Sequence, residues 1–424
     1  MRLLARFSAL ALALSVAAPA AAQQAGDTLE KVVILSRHGV RAAMSSPERL
    51  ETASARPWPR FGVPPGHLTA NGGALSTLFG SYYRQLYVKQ GLLAGADCGA
   101  VYYWANVTQR TIATAKALGE GLSPGCAVTV HTVGEGKIDP MFEPVKAGIA
   151  KPDLALARAS VAGRVGGSLA AWSAGHADAV ASLDELLMQC DAAPCPKAPG
   201  KRRVYDEPAA FLDDADETVG ISGPEAFASG ITESMLMAWA DGQDFAGLGW
   251  KGLDEASLLR VFPLHQAEFD LRLRSHEVAR TGVGHLASRI LATLETRPGE
   301  TKPGKDAVGE ANSKMVVIVG HDGTLAMLGG LLGMEWVAPG YQPNQIAPGG
   351  NLVFERWKRA DGVRVIRVRY AVQSLSQLRG KKPLTLAAPP EAAPIFVPGC
   401  SQTGAGYDCP VDGFAKVVKA AVAR

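Results

Sequence analysis

The sequence of 424 residues lacks several features that would place it in a simple class. Charge of one sign is not in excess, with 43 Lys and Arg against 40 Asp and Glu, so the composition predicts no nucleic-acid partner. No Cys-x-x-Cys pair occurs, which disfavours a zinc ribbon and a thioredoxin-type motif. Beyond residue 22 there is no run of roughly 18 uninterrupted apolar residues that would span a membrane, and there are no repeats. An apolar content of 47% then indicates a globular protein of one or two domains.

The first 22 residues are typical of a secretory signal peptide. Two arginines precede a short apolar run, and three alanines lie just before Gln23. The alternative is an ordinary N-terminal helix. We expect the mature chain to begin at about Gln23 and to be periplasmic or secreted.

The six cysteines are consistent with an oxidising compartment, because an even number can pair completely. Closeness along the chain predicts the pairs Cys98–Cys126, Cys190–Cys195 and Cys400–Cys409. Proximity is the only ground for this pairing, so other connectivities stay open at this level.

Short apolar, β-branched runs predict buried strands at residues 31–36, 100–104, 314–320, 352–357 and 363–370. Helical stretches lie between them at residues 73–90, 109–122 and 325–332. Buried strands that alternate with helices predict an α/β fold, in which a mostly parallel sheet is flanked by helices.

The sequence changes character between residues 136 and 274, where alanine-rich helical patterns such as 177–189 and 224–240 replace the strand-like runs. We therefore expect a mainly helical second domain at residues 136–274. It would be inserted into an α/β domain made of residues 27–135 and 275–424. The proline-rich residues 383–398 are expected to form an extended surface segment.

Two of the predicted strands end in a histidine with charged neighbours. The first runs into Arg37, His38 and Arg41, and the second runs into His321 and Asp322. Ligands of open α/β sheets bind beyond the carboxyl ends of the strands, so we expect the two histidines to face one crevice. The pattern Arg-His-Gly-x-Arg is rare by chance, and its combination with the second strand end indicates a functional site.

Arginines and imidazoles around one crevice suit a tetrahedral anion, because guanidinium groups bind phosphate oxygens in pairs. Arg110, at a helix start after the strand 100–104, is placed to add another guanidinium. A dense positive site disfavours protonated imidazole, so His38 can stay neutral, attack phosphorus and form a phosphohistidine. Asp322 is the adjacent candidate for protonating the leaving alkoxide. These residues predict hydrolysis of phosphate monoesters without a metal or another cofactor.

At these residues the sequence resembles the histidine acid phosphatases, the secreted branch of the histidine phosphatase superfamily that includes bacterial phytases and glucose-1-phosphatase. The resemblance covers nearly all of the mature chain and is carried by residues 36–42, 68–73, 109–111, 264–267, 277–280, 320–322 and 348–355. It implies that His38 is the nucleophile and Asp322 the proton donor. It implies that the phosphate is held by Arg37, Arg41, Arg110 and His321. It also implies an α/β domain plus a helical domain, and chemistry without a metal.

The chain departs from its phytase-like relatives beside the first motif. They commonly continue that motif as Arg-Ala-Pro-Thr-Lys, whereas this chain has Ala43, Met44 and Ser45 after the alanine. The lysine that would meet a further substrate phosphate is absent, and Met44 makes that wall of the pocket more apolar. The second motif reads His-Asp-Gly-Thr instead of the common His-Asp-Thr-Asn. Phytate, glucose 1-phosphate and mixed sugar phosphates therefore compete as substrates.

Three of the singled-out residues also have structural interpretations. Asp322 stands before Gly-Thr at a helix start, where an aspartate is a normal N-cap. Glu233 resembles an acidic family position near the pocket, but a solvated helix glutamate fits its sequence as well. We interpret His265 as a residue that packs or bonds structurally.

Three other functions remain as alternatives. A phosphoglycerate-mutase-like transferase is disfavoured by the signal segment, the length and Arg41. A catalytically silent phosphosugar-binding protein would need neither His38 nor Asp322. A metal-dependent phosphohydrolase is disfavoured by the lack of further clustered ligands. The expected partner is a small-molecule phosphate monoester, and the oligomeric state is left open.

Overall fold

The computed structural model describes residues 26–95, 97–190, 195–196, 198–212, 218–296, 304 and 306–423. The predicted signal peptide, residues 1–22, lies outside the described residues. The strands are β1 Thr28–Arg37, β2 Val101–Ala105, β3 Val130–His131, β4 Ala210–Phe211, β5 Ile221–Ser222, β6 Met315–Gly320, β7 Asn351–Lys358, β8 Arg364–Val372, β9 Glu391–Ile395 and β10 Cys409–Pro410.

The helices fill the chain between these strands. They are α1 Pro47–Glu51, α2 Ala70–Lys89, α3 Gln109–Leu122, α4 Leu154–Arg164, α5 Leu169–Ala174, α6 Ala177–Met188, α7 Pro224–Ala240, α8 Glu255–Val261, α9 Pro263–Arg272, α10 His276–Glu295, α11 Asp322–Leu331, α12 Leu375–Gly380 and α13 Val411–Val422. A short 3-10 helix spans Val204–Asp206.

The main sheet has the strand order β10-β8-β7-β1-β6-β2-β3, with β9 also paired to β8. The pairs β1–β6, β6–β2 and β2–β3 are parallel, whereas β7 is antiparallel to both β1 and β8. Consequently β1, β6, β2, β3 and β8 run in one direction, and the opposite direction is confined to one side of the sheet. The predicted α/β fold with mostly parallel strands is confirmed.

Helices cover both faces of the central strands, which explains why these strands are apolar throughout. Val33 and Leu35 of β1 face one hydrophobic core, which also contains residues of α7, α10 and α11. Ile34 faces the other core, which contains aromatic side chains of α2 such as Phe79 and Tyr83. Successive residues of a strand point to opposite faces, so a strand buried on both sides shows no polar alternation.

The chain between β3 and β6 is mainly helical, as the change in sequence character predicted. Its described residues include α4 to α10, and the strands among them are the two-residue β4 and β5, which form a small antiparallel hairpin. Helix α10 begins at His276, next to the expected boundary at residue 275. The division into two domains at residues 136–274 stays a prediction.

The proline-rich residues 383–398 differ from our expectation. They are extended, but Glu391–Ile395 is strand β9 of the main sheet, antiparallel to β8, and Ile395 and Val397 are fully buried. Alternate residues face the core, while Pro394 is exposed on an edge strand, where a missing N–H breaks no ladder. The prediction of a purely surface segment is therefore wrong.

Disulfides join Cys98 to Cys126, Cys190 to Cys195 and Cys400 to Cys409, the pairs expected from proximity. Among the described residues, each helix is too short or too polar to cross a lipid bilayer.

Candidate active site

The paired ends of β1 and β6 bring the two motif histidines together. Arg37, the last residue of β1, is the register partner of Gly320, and the amide of His38 donates to the Gly320 carbonyl at 3.0 Å. The rings of His38 and His321 consequently lie edge to face, with their centroids 5.6 Å apart. The predicted shared crevice is therefore present at the carboxyl edge of the sheet.

The hydrogen bonding of His38 leaves one ring nitrogen available as a nucleophile. Its Nδ1 lies 2.9 Å from the Gly39 carbonyl oxygen, and since a carbonyl only accepts, Nδ1 carries the hydrogen. The lone pair is then on Nε2. Burial, followed by the charges of Arg37 and Arg41, holds the pKa of His38 well below its ordinary value. The imidazole therefore stays uncharged in mild acid.

Arg37 is the most enclosed cation of the site. Its Nη1 donates to the Ile346 carbonyl at 2.6 Å, and its Nη2 pairs with Asp322 at 2.8 Å and also with Glu233. Nη2 of Arg41 lies 3.6 Å from the same Glu233 carboxylate. With Arg110, the site has three arginines against the two carboxylates Glu233 and Asp322. The cluster therefore keeps a positive charge beside His38.

Arg110 begins α3 and approaches the second histidine. Its Nη2 lies 3.3 Å from Nδ1 of His321, and since a guanidinium only donates, Nδ1 accepts. Nε2–H of His321 then points to Oδ1 of Asn106, 3.3 Å away. Burial, followed by Arg110, lowers the pKa of His321 to about 4. Burial, followed by Arg41, lowers the pKa of Arg110 itself to about 10.

The three guanidinium groups share one feature, which Arg289 and Arg369 outside the site also have. The Nε atoms of Arg37, Arg41 and Arg110 are buried and have no hydrogen-bond partner within the described part of the chain. A buried charged donor without an acceptor is costly, so three such donors in one crevice indicate that an anion belongs there.

Asp322 is the first residue of α11, and the N-cap is His321. Its Oδ1 accepts from the amide of Gly323 at 2.8 Å, and Oδ2 pairs with Arg37. The carboxyl group is thus directed into the crevice. This position argues against the alternative that Asp322 serves only as a helix N-cap. Burial raises the pKa of Asp322, but the charge of Arg37 outweighs burial and holds the pKa below its ordinary value.

The helical part of the chain supplies two more groups. Glu233 of α7 is buried against the arginines, which rules out the alternative of a solvated glutamate. His265 of α9 is also buried, and one ligand-type atom each from Glu233, His265 and Asp322 lies within 4.8 Å of the others. The expected lack of clustered ligand-type residues is therefore wrong. Arg37 is ion-paired with both carboxylates and so supplies positive charge to this cluster.

Met44 lies at the rim of the crevice with 57% of its surface exposed. A Cβ placed on Gly66, whose φ is +73°, would lie 2.8 Å from Sδ of Met44 and 3.6 Å from Nη1 of Arg110. Ser45 is half-buried beside it in the chain. Met44 therefore belongs to the surroundings of Arg110.

Three contacts of the site were missed by the sequence reasoning. Asn106, which holds His321, directly follows β2, so the same strand-end rule would have found it. The hydroxyl of Thr114 accepts the Gly39 amide at 2.9 Å, and the Ile346 carbonyl accepts Arg37. These two residues carry no signal in the sequence, because α3 and a distant loop reach the site only through folding.

Comparisons with known proteins agree with this geometry. Residues 28–371 match the model of the histidine phosphatase superfamily (branch 2). The chain is 36% identical to phytase AppA of Escherichia coli K12, over 93% of this chain and 92% of the relative. It is 30% identical to glucose-1-phosphatase of Salmonella typhimurium, over 97% of each. The solved phytase of Hafnia alvei in complex with tartrate superposes with a TM-score of 0.85 at 32% identity, over 95% of this chain and 98% of that one.

Fold and site together define a phosphatase of the histidine type, which hydrolyses phosphate monoesters. The chain belongs to the histidine phosphatase superfamily, branch 2, and is a phosphoric monoester hydrolase of the histidine acid phosphatase type.

Proposed function

We propose that His38 is the nucleophile of this phosphatase and that a phosphohistidine forms on its Nε2. The observation that carries this proposal is an uncharged, buried imidazole whose free nitrogen lies among guanidinium groups with unpaired Nε donors. Those donors suit the oxygens of a transferring phosphoryl group. The groups proposed to hold it are Arg37, Arg41, Arg110 and His321.

In the first step Nε2 of His38 attacks phosphorus and the bond to the ester oxygen breaks. The leaving alkoxide takes a proton from Asp322, which becomes a carboxylate. A phosphate dianion beside Asp322 opposes the effect of Arg37, so binding raises the carboxyl pKa and favours the protonated acid. In the second step water attacks the phosphohistidine, Asp322 takes the water proton, and phosphate leaves.

The proposed substrates are phytate or sugar phosphates, as the relatives' names suggest. Met44 and Ser45 occupy the rim where phytase-like relatives carry a lysine. This rim offers little charge for a second phosphate, which supports the alternative of a narrow, glucose-1-phosphatase-type specificity. We also propose a periplasmic or secreted location, which three disulfides support.

The deciding experiment is a substrate panel at pH 4 to 7 with the purified mature enzyme. It contains phytate, glucose 1-phosphate, an alkyl phosphate and p-nitrophenyl phosphate. We expect His38→Ala to lose turnover by more than about a thousandfold on all of them. A labelled substrate should leave an acid-labile, alkali-stable phosphoryl group on the wild type only.

The control is His276→Ala, which alters an exposed histidine outside the site.

Asp322→Asn should slow hydrolysis of the alkyl ester by about a hundredfold and spare p-nitrophenyl phosphate, whose leaving group needs no proton. Equal losses on both esters would remove Asp322 from the role of acid. Saturable phosphate binding without any turnover by the wild type would establish the binding-protein alternative.

A further inference from the structure

One imidazole in the site has no part in the proposed reaction. The side chain of His265 is only 5% exposed, and its ring lies 4.9 Å from that of Phe262 and 4.2 Å from that of Phe269, measured between centroids. Its Nε2 faces Oε2 of Glu233 at 4.0 Å, and the Asp322 carboxylate belongs to the same cluster. His265, Glu233 and Asp322 therefore form one cluster of groups that can exchange protons.

Ser229 of α7 determines which ring nitrogen faces those carboxylates. Its Oγ lies 2.9 Å from Nδ1 of His265 and 3.5 Å from Oε2 of Glu268, to which it donates. A hydroxyl has one hydrogen, so once that hydrogen goes to Glu268 the oxygen accepts Nδ1–H of His265. The other nitrogen, Nε2, then carries the lone pair that can take up a proton.

The charged groups next to this ring are carboxylates, and two of them, Glu233 and Asp322, are also ion-paired with Arg37. Glu233 faces it from α7, Asp322 from α11, and Glu268 of its own helix through Ser229. Helices α4, α6 and α8 also pack on α9, but the described contacts of the His265 ring include no charged group from them. Oε2 of Glu233 is buried and accepts no hydrogen bond among the described residues, so it has capacity for a proton donor.

We propose that His265 is a positioning residue for the catalytic proton, in addition to its packing role. In the free enzyme it carries a proton on Nε2, shared electrostatically between Glu233 and Asp322. When a substrate phosphate dianion enters beside Arg37, that proton passes to Asp322, which becomes the neutral acid. The proposal rests on the proposed function, because it assigns how the acid of that reaction is loaded.

The proton balance of this cycle is closed. Transfer breaks the N–H bond of the imidazolium and forms the O–H bond of Asp322, so His265 becomes neutral. Asp322 then gives the proton to the leaving oxygen and regains one from the attacking water. After phosphate departs, the proton returns from Asp322 to His265. Arg37 favours this return, because it holds the pKa of Asp322 below its ordinary value in the free site.

The test is His265→Gln, assayed on p-nitrophenyl phosphate and on propyl phosphate between pH 4 and 7. Glutamine fills similar space and can donate a hydrogen bond, but it cannot take up a proton. We expect kcat on propyl phosphate at pH 6 to fall about tenfold or more, and kcat on p-nitrophenyl phosphate to fall less than about threefold. The basic limb of the propyl phosphate profile should move to lower pH, because Asp322 is then loaded only by bulk protons.

A second variant guards against a folding failure. Ser229→Ala removes the group that orients Nδ1 and should give a smaller change of the same kind, while the exposed His276→Gln should change nothing. Equal losses on both esters, or an unshifted pH profile, would overturn the relay and leave His265 a packing residue. Activation of the wild type by added Mg²⁺ or Zn²⁺ would also overturn it. Retained turnover in His38→Ala would instead refute the proposed function itself.

Discussion

The two sides of the active site are built differently. On the sheet side, His38 and His321 follow paired strands, and main-chain hydrogen bonds at the end of β1 and β6 set their separation. On the helical side, Glu233 and His265 lie within α7 and α9, and only the packing of those helices brings them to the arginines. The sheet side therefore places the groups proposed to react, while the helical side adds buried charge beside them.

The sharpest way to break this comparison is to remove one partner of the buried ion pair from each side. Arg37→Met leaves the Glu233 and Asp322 carboxylates without their shared cation, and such loss of a buried partner costs about 3–5 kcal/mol. Glu233→Gln leaves Arg37 paired with Asp322 and should cost clearly less. Urea unfolding at pH 7 measures both free energies of unfolding.

The double variant Arg37→Met/Glu233→Gln completes the cycle. We expect it to be less destabilised than the sum of the single variants, because the glutamine no longer leaves a buried charge unpaired. If Glu233→Gln alone lowered the free energy of unfolding as much as Arg37→Met, the helical side would contribute as much to stability as the sheet side.

Two neighbouring glycines of α2 test how rigidly His38, the proposed nucleophile, is held from the sheet side. A Cβ on Gly72 would lie 2.0 Å from the Val40 carbonyl oxygen, two residues after His38, whereas a Cβ on Gly73 would meet nothing within 4 Å. Gly72→Ala should therefore cost about 1–3 kcal/mol and lower kcat, because either the helix or the loop after His38 must move. Thermal unfolding and phosphate release measure these effects.

Gly73→Ala is the matched control, and it should stabilise the protein by about 0.5–1 kcal/mol because glycine is a poor helix former. Similar values for the two alanines would show that the loop around His38 adapts freely, contrary to the comparison.

The smallest expected effect concerns the rim. Ser45→Lys supplies the cation that phytase-like relatives carry beside the first motif, and an exposed ion pair is worth about 0.2–1 kcal/mol. We therefore expect kcat/KM for phytate to rise up to about fivefold relative to p-nitrophenyl phosphate, and Ser45→Gln to leave the ratio unchanged. An unchanged ratio in Ser45→Lys would show that the phytate phosphates do not bind beside residue 45.

Most of the sheet side could be predicted from the sequence. Apolar strands such as 314–320 are local signals, and the rule that ligands bind beyond the carboxyl ends of strands placed His38 and His321 together before any coordinates. The structure brings Arg37, Arg41, Arg110 and Asp322 to the same crevice.

The helical side could be predicted only in part. The family pattern suggested Glu233, but nothing local distinguishes a buried helix glutamate from a solvated one, and His265 was interpreted as structural. The edge strand β9 in the proline-rich segment was also missed. Pro394 obscures its alternation of buried and exposed residues, which is the signal of a strand. Contacts between distant helices and strands leave no period in the sequence.

The adjacency of β1 and β6 has a consequence for how the enzyme comes into being. The two strands lie side by side in space, but about two thirds of the chain is synthesised between them. A nascent polypeptide that has not yet extended through Gly320 possesses only one of the two imidazoles. The site with both imidazoles can therefore form only after synthesis has passed the sixth strand.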